Sequence, residues 1–338
     1  MKTEYLPFTE EMIPEAGRLL AERHARNRKS LPLLPARFED PQVAAQAVAA
    51  LWKKKTKNGF AAFRDGRMTA YLIGETTTLP WGRSGYVYLP GHALAQGEPT
   101  AALQDLYALL GDEWVKTGHF NHYLYIPVAD RNVLEALFDL GFGKERVDAT
   151  LDFASLQIPE VRGPAGVTIR KAGKGDNDLL GSLSNVIFRA LAKAPYWHPT
   201  VPEDWDDLHE GWSELADDEE WNIWLALEDG QALEDGQALG MVGFKALPEA
   251  DTNMLTAPRT AYLSIAATKP QARGRGISTA LTWLGLEQTR RQGFELCHTD
   301  WISPNLLASR FWPRFGFRDA AYRVAKKVSP MIAWAKDE

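Results

Sequence analysis

The stretch Thr268-Lys-Pro-Gln-Ala-Arg-Gly-Arg-Gly-Ile-Ser-Thr-Ala-Leu281 decides how this chain is read. Just upstream, Ala261-Tyr-Leu-Ser-Ile-Ala266 reads as a strand. Just downstream, Ile277, Ala280, Leu281 and Leu284 recur at i, i+3, i+4 and i+7, which predicts an amphipathic helix. A glycine-rich turn between strand and helix is suited to an anion. Gly274 and Gly276 let the backbone turn tightly and come close to a ligand, so that successive N–H groups point at one oxygen cluster. The helix N-terminus adds partial positive charge, and Arg273 and Arg275 add full charges. A phosphate or pyrophosphate is the expected guest.

Working outward, the same order of parts occurs twice, which implies a duplicated domain. Short strands begin at Tyr5-Leu6 and Thr168-Ile169, each followed by a helical stretch. Two apolar runs around Asp65-Gly66 read as a hairpin, and Trp221–Leu227 with Leu239–Phe244 form its counterpart. The turn of the second hairpin contains Leu-Glu-Asp-Gly-Gln-Ala twice in tandem, at 227–232 and 233–238, and no function is read from it. Strands follow at Gly85–Leu89 and Ala261–Ala266, then helices, then strands at Tyr123–Ile126 and Phe294–His298. Each half closes with a short helix ending in Leu140-Gly-Phe142 or Phe315-Gly-Phe317, a glycine C-cap signature. The Pro- and Gly-rich segment 154–166 reads as a linker between domains at 1–153 and 167–338. The expected class is α/β, with hairpins and strand–helix alternation in each domain.

The loop and a second motif together resemble the GCN5-related N-acetyltransferase superfamily over about residues 166–328. That family's coenzyme A loop has an Arg/Gln-x-x-Gly-x-Gly/Ala core, and this chain has Arg273-Gly-Arg-Gly276-Ile-Ser278, with Ser278 in place of the last small residue. The family's Asn-x-x-Ala-x-x-Phe-Tyr-x-x-x-Gly-Phe signature is matched by Asn305-Leu-Leu-Ala308-Ser-Arg-Phe311-Trp312-Pro-Arg-Phe315-Gly316-Phe317. The resemblance implies two tandem domains, each a mixed, mostly antiparallel twisted sheet flanked by helices. It implies acetyl-CoA as cofactor, its pantetheine arm paired with backbone groups of Ile265, Ala266, Ala267 and Thr268. Its pyrophosphate would lie on Arg273, Gly274, Arg275, Gly276, Ile277, Ser278 and Thr279, with Asn305, Phe311 and Trp312 along the cofactor. The implied reaction is direct attack of an amine on the thioester carbonyl, polarised by a backbone N–H near Ala267.

Two positions depart from the family pattern. Trp312 stands where many members keep a Tyr that protonates the leaving thiolate, and an indole is no ordinary acid. Another group or water then supplies the proton, or the thiolate leaves unaided. The strand at Tyr262–Ala266 carries no acidic residue to act as base, so Asp300 is the base candidate, with capping of a turn as its alternative role. In the N-terminal half the loop reads Pro90-Gly-His-Ala-Leu-Ala-Gln-Gly97-Glu98-Pro99-Thr100, where Glu98 repels a phosphate and Pro99 removes an N–H. There Asp130 and Leu137 replace Asn305 and Trp312. That half reads as a degenerate copy that supports the fold and gives no second active site; the arrangement resembles tandem acetyltransferases whose C-terminal half is catalytic.

The chain has 338 residues and a net charge of −6, with 45% hydrophobic and 24% charged residues. Such values fit a soluble two-domain protein and exclude wholesale disorder. The acidic balance argues against a nucleic-acid or membrane-surface binder. No apolar run is long enough to span a bilayer, no leader is read at the N-terminus, and the single Cys297 forms no intramolecular disulfide, so a cytoplasmic location is expected. No metal site is read, because His119-x-x-His122 has no evident carboxylate or thiolate partner. Oligomeric state is not legible.

Charge is unevenly spread. Ala194 to Phe244 holds 14 Asp and Glu and no Lys or Arg, so that stretch carries −14 against the whole-chain −6 and leaves +8 elsewhere. Five of the twelve Trp residues lie between Trp197 and Trp224. In the family this region borders the acceptor. Tyr196 and Trp197, with Asp204 and Asp207, therefore suggest a cationic primary amine of a small molecule or peptide. A solvated acidic helix face with buried indoles is the alternative. An acetyl-CoA-dependent N-acyltransferase is the leading expectation. A non-catalytic acyl-CoA sensor and an aminoacyl-tRNA-dependent peptidyltransferase are the rivals, the second disfavoured by the intact loop and the acidity.

Overall fold

In the computed structural model, residues 3–335 are described apart from 79–81, 162, 199 and 230–236, so most of the tandem hexapeptide lies outside the described residues. Two compact units form: Met1–Asp148 with Glu249–Pro258 and Asp319–Glu338, and Ala149–Pro248 with Arg259–Arg318.

In the first unit the strands are β1 (Glu4–Pro7), β2 (Lys57–Arg64), β3 (Arg67–Thr77), β4 (Ser84–Val87), β5 (His92–Leu94) and β6 (Asn121–Pro127), with β7 (Gly143–Asp152) ending beyond its boundary. The helices are α1 (Ile13–Ser30), α2 (Pro41–Trp52), α3 (Ala101–Lys116) and α4 (Arg131–Asp139). β1, β2, β3 and β4 pair antiparallel in that order, β5 adds to β3, and β4 pairs parallel with β6. The β2–β3 hairpin turns at Asp65 (φ 53°) and Gly66 (φ 74°), the left-handed pair a tight turn demands. Gly141 (φ 82°) closes α4, donating its N–H to the Phe138 carbonyl.

In the second unit α5 (Asn177–Gly181), α6 (Asn185–Leu191) and α7 (Asp204–Ser213) lie between β8 (Val167–Lys171) and β9 (Trp221–Glu228). Then come β10 (Ala238–Ala246), β11 (Thr260–Thr268), α8 (Ile277–Arg291), β12 (Leu296–Ile302) and α9 (Leu306–Phe311). β8 to β11 pair antiparallel in sequence order, and β11 pairs parallel with β12. Each unit thus has an antiparallel run ending in one parallel pair, flanked by helices, as the repeated order of parts predicts.

The chain divides differently from the expected 1–153 and 167–338. Its final strand, β13 (Arg318–Lys327), lies almost wholly in the first unit, antiparallel to β6 with Val324 opposite Leu124. The buried Arg323 fastens it, with a bidentate pair to Glu145 at 2.5 and 2.8 Å and cation–π contacts to Tyr123 and Tyr125. A strand pattern cannot show which sheet the strand will join, because alternation marks a face and not a partner.

Trp114 fills the core of the first unit at 1% exposure, resting on β3 and β4 where both strands lack side chains. A Cβ on Gly74 would lie 2.4 Å from the indole, and one on Gly85 2.3 Å from it. Gly85→Ala should therefore cost about 1–3 kcal/mol of stability through overpacking, measured by chemical denaturation. Trp114→Phe in the same chain should recover part of the loss; an unaffected midpoint in the single variant would contradict this packing. Nearby, His122 uses both ring nitrogens on the Tyr107 hydroxyl (2.7 Å) and the His119 carbonyl (2.9 Å). Burial holds its pKa down at about 4.

Candidate active site

β11 is flanked on both sides for only part of its length. Its pairing with β12 runs from Thr260 opposite Leu296 to Leu263 opposite Thr299, where the Thr299 hydroxyl donates to the Leu263 carbonyl at 2.9 Å. At that point the register with β10 slips: Phe244 faces Leu263 and Gly243 faces Ile265, leaving Ser264 as a bulge. Ile265, Ala266, Ala267 and Thr268 stay paired to β10, and their other edge has no strand partner among the described residues. Main-chain groups along such an edge can receive an extended ligand.

The strand leads into the glycine loop. Gly274 (φ 80°) and Gly276 (φ 82°) both hold left-handed conformations, and Gly276 is the N-cap of the 15-residue α8. Among the described residues, no protein group accepts from the N–H groups of Gly274 through Thr279. Ile277 is 1% exposed, so its side chain anchors the helix in the core and only its N–H faces the turn. The Ser278 hydroxyl pins the loop to the strand through Thr268 Oγ1 at 2.7 Å, a role the glycine or alanine of the family motif could not fill. Thr279 is exposed. The two arginines differ. Arg275 is committed to Glu228 in a bidentate pair at 3.0 and 3.1 Å, which raises its own pKa and lowers that of the carboxylate. Arg273 is exposed and its Nε donates to the Thr268 carbonyl at 3.3 Å, so it is the loop's cation without a carboxylate partner among the described residues.

Asp300 lies on β12, one residue past the last pair with β11, and accepts a hydrogen bond from the Tyr262 hydroxyl. The His298 ring lies 5.7 Å from that of Tyr262. Asp300 is therefore a strand residue where two strands part, and its turn-capping alternative does not apply. β11 carries no carboxylate, and its group facing Asp300 is the phenol of Tyr262. Asn305 caps α9, its side chain accepting from the Ala308 N–H at 3.4 Å. Phe311 is half-buried against Trp312 and Phe315. Trp312 is only 7% exposed and packs edge-on to Phe317, so its indole is a core group.

A cavity of about 520 Å³ opens beside the loop. Its walls are α6 and the segment through Tyr196, residues 269–273, and the head of α9 with Asn305. Tyr196 thus reaches it. Trp197, at φ 49° and 69% exposed, is not among its walls. Asp204 and Asp207 are exposed on the first turn of α7 and line no part of it; there they complement the helix dipole. Trp212 of the same helix is buried, as the alternative reading of the acidic region has it.

In the first unit the corresponding loop is neutralised from within. Glu98 pairs with Arg64 at 3.0 Å, and the half-buried Asp130 stands 3.8 Å from the buried Arg23, its pKa raised by desolvation despite the cation.

Comparison with known proteins fits this geometry. Residues 190–317 match the acetyltransferase (GNAT) family, so the second half of the chain carries a GNAT domain. Among solved structures, the chain is similar to a GCN5-related N-acetyltransferase from Sphaerobacter thermophilus, with 16% identity, TM-score 0.57, and 96% of this chain and 95% of that one covered. It is also similar to a tandem GNAT protein from the clavulanic acid biosynthesis pathway, with 14% identity, TM-score 0.52, and 96% and 98% covered. A third is the GCN5-related glucosamine N-acetyltransferase region of a fungal multi-domain GH3 β-N-acetylglucosaminidase, with 13% identity and TM-score 0.57, covering 96% of this chain and 38% of that one. At these identities the likeness shows the fold alone. No curated protein matches the chain by sequence. Among the described residues, no helix is long and apolar enough to cross a membrane.

Proposed function

We propose that the chain is an acetyl-CoA-dependent N-acetyltransferase acting on a primary amine, with its active site in the second unit. The observation that carries this is the row of N–H groups from Gly274 to Thr279, uncommitted among the described residues, at the head of α8 and in line with the unpaired edge of β11. That combination suits a diphosphate joined to an extended amide-containing arm. Residues 265–268 would hold the arm, and 273–279 with Arg273 would hold the diphosphate. The bound thioester supplies an activated acyl carbon, at which a C–N bond forms as the C–S bond breaks. Asp300 takes the proton released by the amine, directly or through water, and Tyr262 gives its phenolic proton to the departing thiolate. Because Tyr262 donates to Asp300, the proton gained by the carboxylate restores the phenol and the dyad returns to its starting state. This assigns to Tyr262 the acid role that the buried Trp312 cannot fill.

The first unit acts as support. Calorimetric titration with acetyl-CoA should give one site per chain, because Glu98 already faces Arg64 where a second diphosphate would lie. A stoichiometry of two would overturn this assignment. Acetyl transfer across a panel of amines tests the activity itself; tight binding with no transfer to any amine would favour a sensor of acyl-CoA.

A further inference from the structure

We infer that the amine acceptor also carries an anionic group, a carboxylate or phosphate, held by Arg189, Lys193 and Lys269. This rests on the acetyltransferase reading and reverses the charge class expected from the acidic insert. The charged residues lining the cavity are Arg189, Lys193, Lys269 and Arg273, and no Asp or Glu lines it among the described residues. Arg273 belongs to the glycine loop and is assigned to the diphosphate. The other three stand on or face the α6 wall.

None of the three has a carboxylate partner among the described residues. Lys269 is half-buried, its Nζ touching the Ser182 hydroxyl at 3.4 Å, and burial pushes its ammonium below the usual lysine range. The Arg189 guanidinium lies over the Trp205 ring at 6.0 Å, which holds it in place without neutralising it. Elsewhere the unit pairs its cations readily, as in Arg170–Asp176, Arg259–Glu295 and Arg275–Glu228. Acidic residues become abundant from Glu203 onward, ten positions after Lys193, yet Asp204, Asp206 and Asp207 stand exposed on α7, outside the cavity. Three unpaired cations converging on one cavity create a positive field that an anion on the ligand would satisfy.

The test uses two matched pairs of amines, ethanolamine with phosphoethanolamine and cadaverine with lysine. Transfer is followed by kinetics, and binding to the coenzyme A-loaded protein by calorimetry. Wild type should favour the anion-bearing member of each pair at least tenfold. In Arg189→Gln/Lys193→Gln that preference should fall to within twofold, while affinity for acetyl-CoA stays unchanged. Equal treatment of both members by wild type would overturn the inference. So would a variant that loses acetyl-CoA affinity and keeps the preference, which would give these cations to the cofactor's phosphates. A wild type that fails to bind acetyl-CoA at all would instead overturn the reading on which the inference rests.

Discussion

Asp300→Asn is expected to lower kcat by about 10²-fold, the lower end of what a positioned general base contributes, with little change in acetyl-CoA affinity. The substitution suits the question because Asn keeps an oxygen that can accept from the Tyr262 hydroxyl. The two strands therefore remain tied where they part, and only the carboxylate's basicity is lost. Tyr262→Phe removes the phenol and keeps the carboxylate. It should slow turnover with acceptors more strongly than it alters binding of the cofactor. A purely structural role for the pair would give the opposite pattern: reduced thermal stability in Tyr262→Phe, and kcat in Asp300→Asn within about twofold of wild type. That outcome would remove Asp300 from the mechanism.

Gly276→Glu should weaken acetyl-CoA binding by tenfold or more, about 1.4 kcal/mol. Space is not the obstacle, because a Cβ at this position meets nothing within 4 Å. Two other effects act. At φ 82° any L-residue is strained, by about 1–2 kcal/mol. In addition, the new carboxylate sits at the head of α8, where the helix N-terminus favours negative charge, and so competes for the same N–H groups. Gly276→Ala carries the strain without the charge, so the comparison isolates the electrostatic part. Calorimetry on both variants, with circular dichroism to confirm folding, gives the answer. If the Glu variant binds acetyl-CoA as well as the Ala variant does, the loop is not the diphosphate site.

Much of this arrangement was legible in the residues themselves. Asp65-Gly66 announced a hairpin because left-handed conformations are tolerated by so few residue types, and Gly274 and Gly276 marked the loop for the same reason. What was not legible depends on partners distant in sequence. Nothing local distinguishes Arg273 from Arg275, and only the fold brings Glu228 to one of them. The Ser264 bulge interrupts no visible pattern, because one extra residue in a mostly apolar strand leaves its composition unchanged. In the acidic insert, charge density along the chain does not carry over to the cavity walls, which hold no Asp or Glu among the described residues. α7 buries Trp212 and turns its acids outward, while the cavity's cations come from α6, the segment after it and the end of β11.

The placement of β13 affects the order in which the protein can be completed during synthesis. Chains emerge from the ribosome N-terminus first, and domains generally fold as units in that order. Here the unit that begins first needs Asp319–Glu338, which emerge only after everything in Ala149–Arg318 that belongs to the second unit. The leading portion of the nascent polypeptide therefore waits, with the β6 edge open, until β13 has been made. The half that bears the glycine loop can mature before the half that precedes it.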